Sequence, residues 1–423
     1  MTETETVRRR AQEALARLNE ESECLDQATT TSTKEDLHYW LGRCSPRHAR
    51  RIDTLEKTTT TTARCRFFQR NGYCVSTAFC SVEECHEMKT EMARLVQSEW
   101  NPPTGKTSNG TSDQVLDSFG TNDEQNTQRG DYFLESADRV HYFAEPGALA
   151  EQEDGSSSIL KSEFHKDKLA ALNKAGHGLH LKTDGQKENA FCRYTFSDKI
   201  RELVLELGWK DPVIPQSMYI FKQARIGGAV NSHQDSTFLF TEPYQSCLGL
   251  WLALDDATLE NGCLWVRPKS HTTDVGGVRR QYKRNPKHFG SEAIEQRSNQ
   301  AKGDISEPKF VMEELVPPKD GGNGVGHEVL WDGSLPGGDK EVDIAERYNA
   351  LEKAGFVPVE CKAGDLLAFC GELDHLSLAN FSDQPRHTFQ LHLVEGPAES
   401  VVWSKSNWLQ YEDGRQFQSL LRS

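Results

Sequence analysis

Apolar residues near the start of the chain recur at helical spacing, at Val7, Ala11, Ala14, Leu15 and Leu18, which predicts an amphipathic helix, read as a loosely attached extension. Two Thr-rich tracts, Thr29–Thr33 and Thr58–Thr62, offer no alternating apolar face and read as linkers. From Phe67 the pattern tightens. A helix ends at Gly72, Tyr73–Val75 reads as a short strand, and Ser81 with Glu84 three residues on forms a capping box that starts another helix. Polar residues dominate 101–129, which reads as a surface insertion, and further helices are predicted at Phe164–Ala175 and Ser197–Leu207. After Gln216 the period shortens to two. SMYIFKQ, STFLFTEP, LGLWLALDD, GCLWVRP, DLLAFC and HTFQLHLVEG read as strands, with Glu260-Asn261-Gly262 as a turn between two of them. The polar, Gly-rich segment 272–358 reads as a functional cover or an insert, and its Gly321–Gly326 run matches no phosphate-binding pattern.

These elements predict an α+β protein, mainly β, in which an antiparallel barrel or sandwich follows a set of helices. The boundaries divide the chain into an N-terminal extension (1–64), one domain (65–410) with insertions near 101–129 and 272–358, and a tail (411–423). Composition supports one large domain, because the hydrophobic share of 36 % over 423 residues is low and the three polar stretches account for much of the shortfall. A net charge of −15 argues against a general nucleic-acid surface. No apolar run approaches the roughly 20 residues of a membrane span, and MTETETVRRR lacks the apolar core of a secretory signal, so a cytoplasmic location is expected. The 11 cysteines contain no C-x-x-C pair and read as reduced packing residues, Cys80 and Cys85 included. Oligomeric state is not legible.

The chemistry concentrates at Asn231-Ser232-His233-Gln234-Asp235. On a strand, His233 and Asp235 would project from one face. An imidazole and a carboxylate completed by a distant second His form the facial triad that holds non-haem Fe(II) with open positions. His375 is the candidate third ligand, because it follows a predicted strand and Arg386 lies eleven residues on, at the start of another. A guanidinium there is suited to the far end of a dicarboxylate, and Arg386, Thr388, Gln390 and His392 would share one polar face. A lone H-x-D also reads as an ordinary surface or core pair.

Three segments together resemble the phytanoyl-CoA dioxygenase family: SMYIFKQARIGGAVNSHQDSTFLFTEP, LGLWLALDDATLENGCLWVRPKSH and GELDHLSLANFSDQPRHTFQLHLVEG. FFQRNGYCVSTAFCSVEEC, DYFLESADRVHYFAEPG and LNKAGHGLH extend the likeness to about 65–410 apart from the insertions. The resemblance implies a double-stranded β-helix, a jelly-roll or cupin-like barrel with flanking helices. It also implies an Fe(II)- and 2-oxoglutarate-dependent dioxygenase that consumes O2, releases succinate and CO2, and hydroxylates an aliphatic carbon of a small-molecule or acyl-CoA-type substrate. Matched residue by residue, His233, Asp235 and His375 are the implied catalytic iron ligands, and Arg386 the implied partner of the 2-oxoglutarate C5 carboxylate. Lys174, Met218, Trp251 and Ser377 match positions lining the co-substrate site, although Lys174 also reads as a helix C-terminal residue and Trp251 as core. Two alternatives stay open: a non-catalytic cupin-like protein that binds metal or 2-oxoglutarate, and a biosynthetic oxygenase of a secondary metabolite. Between Arg267 and Phe289 seven Lys and Arg stand against one Asp, an excess that could draw an anionic substrate to the entrance or belong to a solvated loop.

Overall fold

The computed structural model describes residues 3–29, 62–102, 116–118, 130–150, 159–184, 187–272, 277–289, 307–315 and 344–421. The Thr-rich tracts except Thr29 and Thr62, most of the 101–129 insertion and the Gly321–Gly326 run lie outside the described residues.

Helix α1 (Glu3–Thr29) is docked, contrary to the expectation of a loose extension. Val7 is fully buried in a cluster with Leu259, Trp265, Tyr348 and Leu351. Beside it, Arg8 Nη2 donates to Glu260 at 2.9 Å and Nε to Glu360 at 2.8 Å. Periodicity announced the helix but not its seat, because the partners are more than 240 residues away. Helix α2 (Ala63–Asn71) follows with Thr62 as N-cap, and α3 (Val82–Glu99) starts on the expected capping box. Ser81 Oγ accepts from Glu84 N at 3.2 Å, and Glu84 Oε2 accepts from Ser81 N at 2.8 Å. Ser197 stands just before α4 (Asp198–Glu206), as predicted.

In chain order the strands of the two larger sheets and of one hairpin are β1 (Tyr73–Ser76), β2 (Asp117–Ser118), β3 (Val140–Ala144), β4 (Leu172–His177), β5 (Pro212–Lys222), β6 (Val230–His233), β7 (Leu248–Ala253), β8 (Leu264–Val266), β9 (Arg280–Arg284), β10 (Phe310–Glu314), β11 (Val357–Val359), β12 (Leu366–Cys370), β13 (His375–Ser377), β14 (Arg386–Glu395) and β15 (Gln418–Ser419). A nine-stranded sheet runs β1–β12–β7–β14–β5–β4–β3–β2 with β15 also on β5, and a four-stranded sheet runs β6–β13–β8–β11. The fold is mixed α and β around large, mostly antiparallel sheets.

Three expectations are corrected. Phe164–Ala175 is not a helix: two 3₁₀ turns occupy its first part and β4 begins at Leu172. The KLAALNKAG spacing suits a helix, but pairing with β5 on one side and β3 on the other supplies the backbone partners of a central strand, and tertiary context overrides propensity. STFLFTEP is a 3₁₀ turn at Asp235–Thr237 and a two-residue strand at Thr241–Glu242. The Glu260-Asn261-Gly262 turn closes no hairpin, since β7 pairs with β12 and β14 while β8 lies in the smaller sheet. The segment 272–358 also holds a hairpin of β9 with β10 and helix α5 (Ile344–Lys353), whose Tyr348 and Leu351 enter the core.

Register in the larger sheet builds the floor of a cavity. Gly249 of β7, His392 of β14 and Gln216 of β5 lie in one row across the sheet. Trp251, Gln390, Met218 and Gly176 make the next row; Ala253, Thr388, Ile220 and Lys174 the third; Arg386 and Lys222 the last. Because side chains alternate between faces, these rows share one side. The other side carries Leu250, Leu252, Phe389 and Leu391 into the main hydrophobic core.

Seating of α1 is measurable. Val7→Asp would bury a carboxylate without a partner and should lower stability by on the order of 2 kcal/mol, read from the urea midpoint. Leu15→Ala, at a position of the same helix that is 45 % exposed, should cost less than about 0.5 kcal/mol. Equal effects would mean that the helix is not held.

Candidate metal centre

His233 ends β6 and Asp235 opens the following 3₁₀ turn, so the two are presented by a strand end and a turn rather than by one continuous strand. β13 pairs with β6 and sets His375 opposite His233, with ring centroids 4.2 Å apart. Asp235 Oδ1 lies 3.5 Å from His233 Nε2 and 3.6 Å from His375 Nε2. One donor atom from each residue falls within 4.8 Å of the other two, a set that could hold a metal ion. The donor chemistry fits iron. Nδ1 of His233 lies 2.8 Å from the Asn231 carbonyl oxygen and Nδ1 of His375 3.0 Å from that of Leu373, so each Nδ1–H donates and each Nε2 lone pair faces the centre.

A fourth imidazole orients the carboxylate. Gln216 Nε2 donates to His392 Nδ1 at 3.2 Å, which leaves the proton on Nε2 to donate to Asp235 Oδ2 at 2.9 Å. Oδ1 is thereby reserved for the centre. Burial alone would raise the Asp235 carboxyl, but the imidazoles around it, His392 foremost, outweigh it and hold the group well below its ordinary range. Burial, then the neighbouring His233 charge, pushes His375 down to about 4. Burial acts on His233 in the same direction, but hydrogen bonding and the negative charge of Asp235 prevail and raise it.

The cavity over these residues encloses about 170 Å³. Every residue expected near the co-substrate lines it: Lys174, Met218, Trp251, Ser377 and Arg386. Arg386 is 2 % exposed, and burial brings its guanidinium down to about 10. Its Cζ lies 5.2 Å from the centre of the Trp251 ring, its Nε has no hydrogen-bond partner, and no carboxylate pairs with it among the described residues. Lys174 is a buried strand residue whose Nζ lies 3.0 Å from His177 Nε2 and 5.0 Å from the Phe143 ring centre. His177 Nδ1 in turn donates to Ser136 Oγ at 2.8 Å. Burial, then the charge of Lys174, drives His177 far below its ordinary range.

Gln216, His177, Lys222 and Glu145 were not singled out from sequence, and His392 was read only as lining. For Gln216 and Lys222 the signal was available, since both alternate in phase with Met218. Phe133, Phe238, Tyr282 and Trp408 complete the aromatic wall. The nine cysteines from Cys65 to Cys370 are all buried and form no disulfide with one another, as expected of packing residues.

The basic segment is largely neutralised. Arg267 and Arg279 both pair with buried Asp374, Arg280 with Glu314, Lys283 with Glu313 and Lys287 with Glu307. The acids lie outside the 267–289 window, so counting within it overstated the charge. Among the described residues no helix is long and apolar enough to cross a membrane.

The sequence profile described as phytanoyl-CoA dioxygenase matches residues 68–388. Phytanoyl-CoA dioxygenase domain-containing protein 1 of Danio rerio is 34 % identical over 355 residues, spanning 84 % of this chain and 96 % of that protein. The Rattus norvegicus protein of the same name is 34 % identical, spanning 81 % and 92 %. Phytanoyl-CoA dioxygenase 1 of Oryza sativa subsp. japonica is 34 % identical, spanning 82 % and 92 %. Among solved structures, a non-heme alpha ketoglutarate dependent carbocyclase from nogalamycin biosynthesis aligns over 84 % of this chain and 89 % of its own at 15 % identity and a TM-score of 0.42.

Replacing His392 by Phe removes the donor to Asp235 and leaves the three ligand side chains in place. Co(II) affinity of the purified protein should fall by about 10- to 100-fold, as read by titration of the cobalt absorption. An unchanged affinity would mean that His392 does not orient the carboxylate.

Proposed function

The chain belongs to the phytanoyl-CoA dioxygenase family, and from that premise we propose that it hydroxylates an aliphatic carbon of a small-molecule or acyl-CoA-type substrate inside a double-stranded β-helix. It is a 2-oxoglutarate-dependent dioxygenase and works with Fe(II), 2-oxoglutarate and O2. In this reading His233, Asp235 and His375 hold the iron, and Arg386 holds the far carboxylate of 2-oxoglutarate. Lys174, Met218, Trp251 and Ser377 line the co-substrate space. Bound iron and 2-oxoglutarate supply the oxidising chemistry, with succinate and CO2 as co-products.

The protein's part is to orient and to exclude water. Asp235 supplies a carboxylate at the position a halide would otherwise take, which favours hydroxylation over halide transfer. The ring face of Trp251 holds one side of the Arg386 guanidinium. Phe133, Phe238, Tyr282 and Trp408 bound the cavity with apolar surface, which suits an unactivated carbon. The observation that carries the reading is Arg386: a buried cation, with no ion pair to a carboxylate among the described residues, in the same cavity as the three-ligand cluster. With at least five of its seven cations paired, the basic segment lends little to a CoA thioester over a free acid.

Purified protein supplied with Fe(II) and 2-oxoglutarate should release succinate, faster when a true substrate is added from a panel of acyl-CoAs and matching free acids. Arg386→Met should raise the KM for 2-oxoglutarate by about 30-fold or more with a smaller change in kcat, and His375→Ala should abolish turnover. Metal and 2-oxoglutarate binding without any succinate would leave a non-catalytic binding protein instead.

A further inference from the structure

Lys222 ends β5 directly opposite Arg386 of β14, and both side chains line the cavity. Like charges directly opposite each other on a sheet repel, the more so away from water. Lys222 turns its ammonium into two carbonyl groups, with Nζ donating to Gly228 O at 2.7 Å and to Leu378 O at 2.8 Å. Gly228 leads into β6, which carries His233, and Leu378 follows Ser377 at the end of β13, which carries His375. One side chain from the larger sheet therefore ties down both ligand strands of the smaller sheet, at the Arg386 end of the cavity.

The surroundings are built to admit that side chain. A Cβ at Gly262, where φ is +82°, would lie 2.8 Å from Lys222 Cδ and 2.5 Å from Leu378 O, and one at Gly227 would lie 2.8 Å from Lys222 Cγ. The Gly228 peptide is also held from its other side. Its N–H points at Glu145 Oε2 across 3.4 Å, and Glu145 Oε1 accepts from Asn173 Nδ2 of β4 at 3.0 Å. Asn380 completes the tie, its Nδ2 donating to Lys222 O at 3.0 Å and its backbone N–H to Gly227 O at 2.9 Å.

We propose that Lys222 is a positioning residue that clamps the two sheets together. It fixes the span between the ligands His233 and His375 on one sheet and Arg386 on the other, so that the cavity selects a 2-oxo diacid of a single chain length. The proposal rests on the roles given above to the ligand triad and Arg386.

The test measures binding rather than turnover. The Co(II)-loaded full chain is titrated calorimetrically, without oxygen, with oxaloacetate, 2-oxoglutarate, 2-oxoadipate and the monoacid 2-oxobutyrate. The wild type should prefer 2-oxoglutarate over its shorter and longer diacid neighbours by about tenfold or more, the low end of what one methylene is worth in a closed site. Lys222→Met, measured on protein still loaded with Co(II), should narrow that preference to within about threefold, and Lys222→Gln, which retains one donor group, should fall between. Equal weakening of all three diacids, with their ratios intact, would overturn the proposal and leave Lys222 as a source of charge. Loss of folding in both variants would overturn it too, because Lys222 would then be holding the fold. A wild type that binds 2-oxobutyrate as tightly as 2-oxoglutarate would remove the role given to Arg386, and the clamp's purpose with it.

Discussion

A guanidinium with only 2 % of its surface exposed and no ion pair to a carboxylate among the described residues imposes the constraint on which the cavity depends. Arginine is not readily discharged, so its burial has to be offset by groups that tolerate a positive charge or by an anion from outside. Trp251 supplies a ring face, and β14 pairing places Gln390 and His392 along the same side of the strand. Neither neutralises the charge. The cavity is thus electrostatically incomplete at one end and rich in metal-ligating groups at the other, which is the pattern expected of a site for an anion that also binds metal.

Both ends are governed from the larger sheet. At the metal end, Gln216 and His392 reach from β5 and β14 to hold Asp235, just past the end of β6 in the smaller sheet. At the anion end, Lys222 reaches from β5 to the carbonyls flanking β6 and β13. A ligand pair on two short strands of four and three residues has little rigidity of its own, because short strands contribute few ladder bonds. The hydrogen bonds from β5 and β14, eleven and ten residues long, lend these ligands the stiffness of a nine-stranded sheet. This accounts for the concentration of buried polar side chains on one face of strands whose other face is aliphatic and aromatic.

Legibility from sequence followed the range of the interactions. His233 and Asp235 stood out because two ligands lie close together in the chain, and His375 with Arg386 because alternation marks β12 and β14. The capping box at Ser81 is local and was read correctly. Lys174, matched by resemblance to a co-substrate position, does line the cavity but from a strand and not a helix end, because its segment has helical spacing and becomes a strand only between β3 and β5. Lys222 closes an apolar strand, where a charge commonly means the strand has reached solvent, and only packing against Gly227 and Gly262 turns it inward. His177 and Ser136 carry no local signal at all, since their hydrogen bond joins segments 41 residues apart.

The basic segment shows how a charge can be visible in sequence while its use is not. Arg267 and Arg279 converge on Asp374, which is 1 % exposed and immediately precedes His375. The backbone joins in, with Arg267 N donating to Asp374 O at 2.9 Å and Asp374 N to Ser270 Oγ at 2.9 Å. A buried carboxylate held by two guanidinium groups is expensive to disturb, because removing either partner leaves a charge in a poorly solvated place. Arg267 and Arg279 therefore fix the approach of the chain to His375, one of the three candidate ligands. Attraction of an anionic substrate would need cations facing solvent, and these two face Asp374.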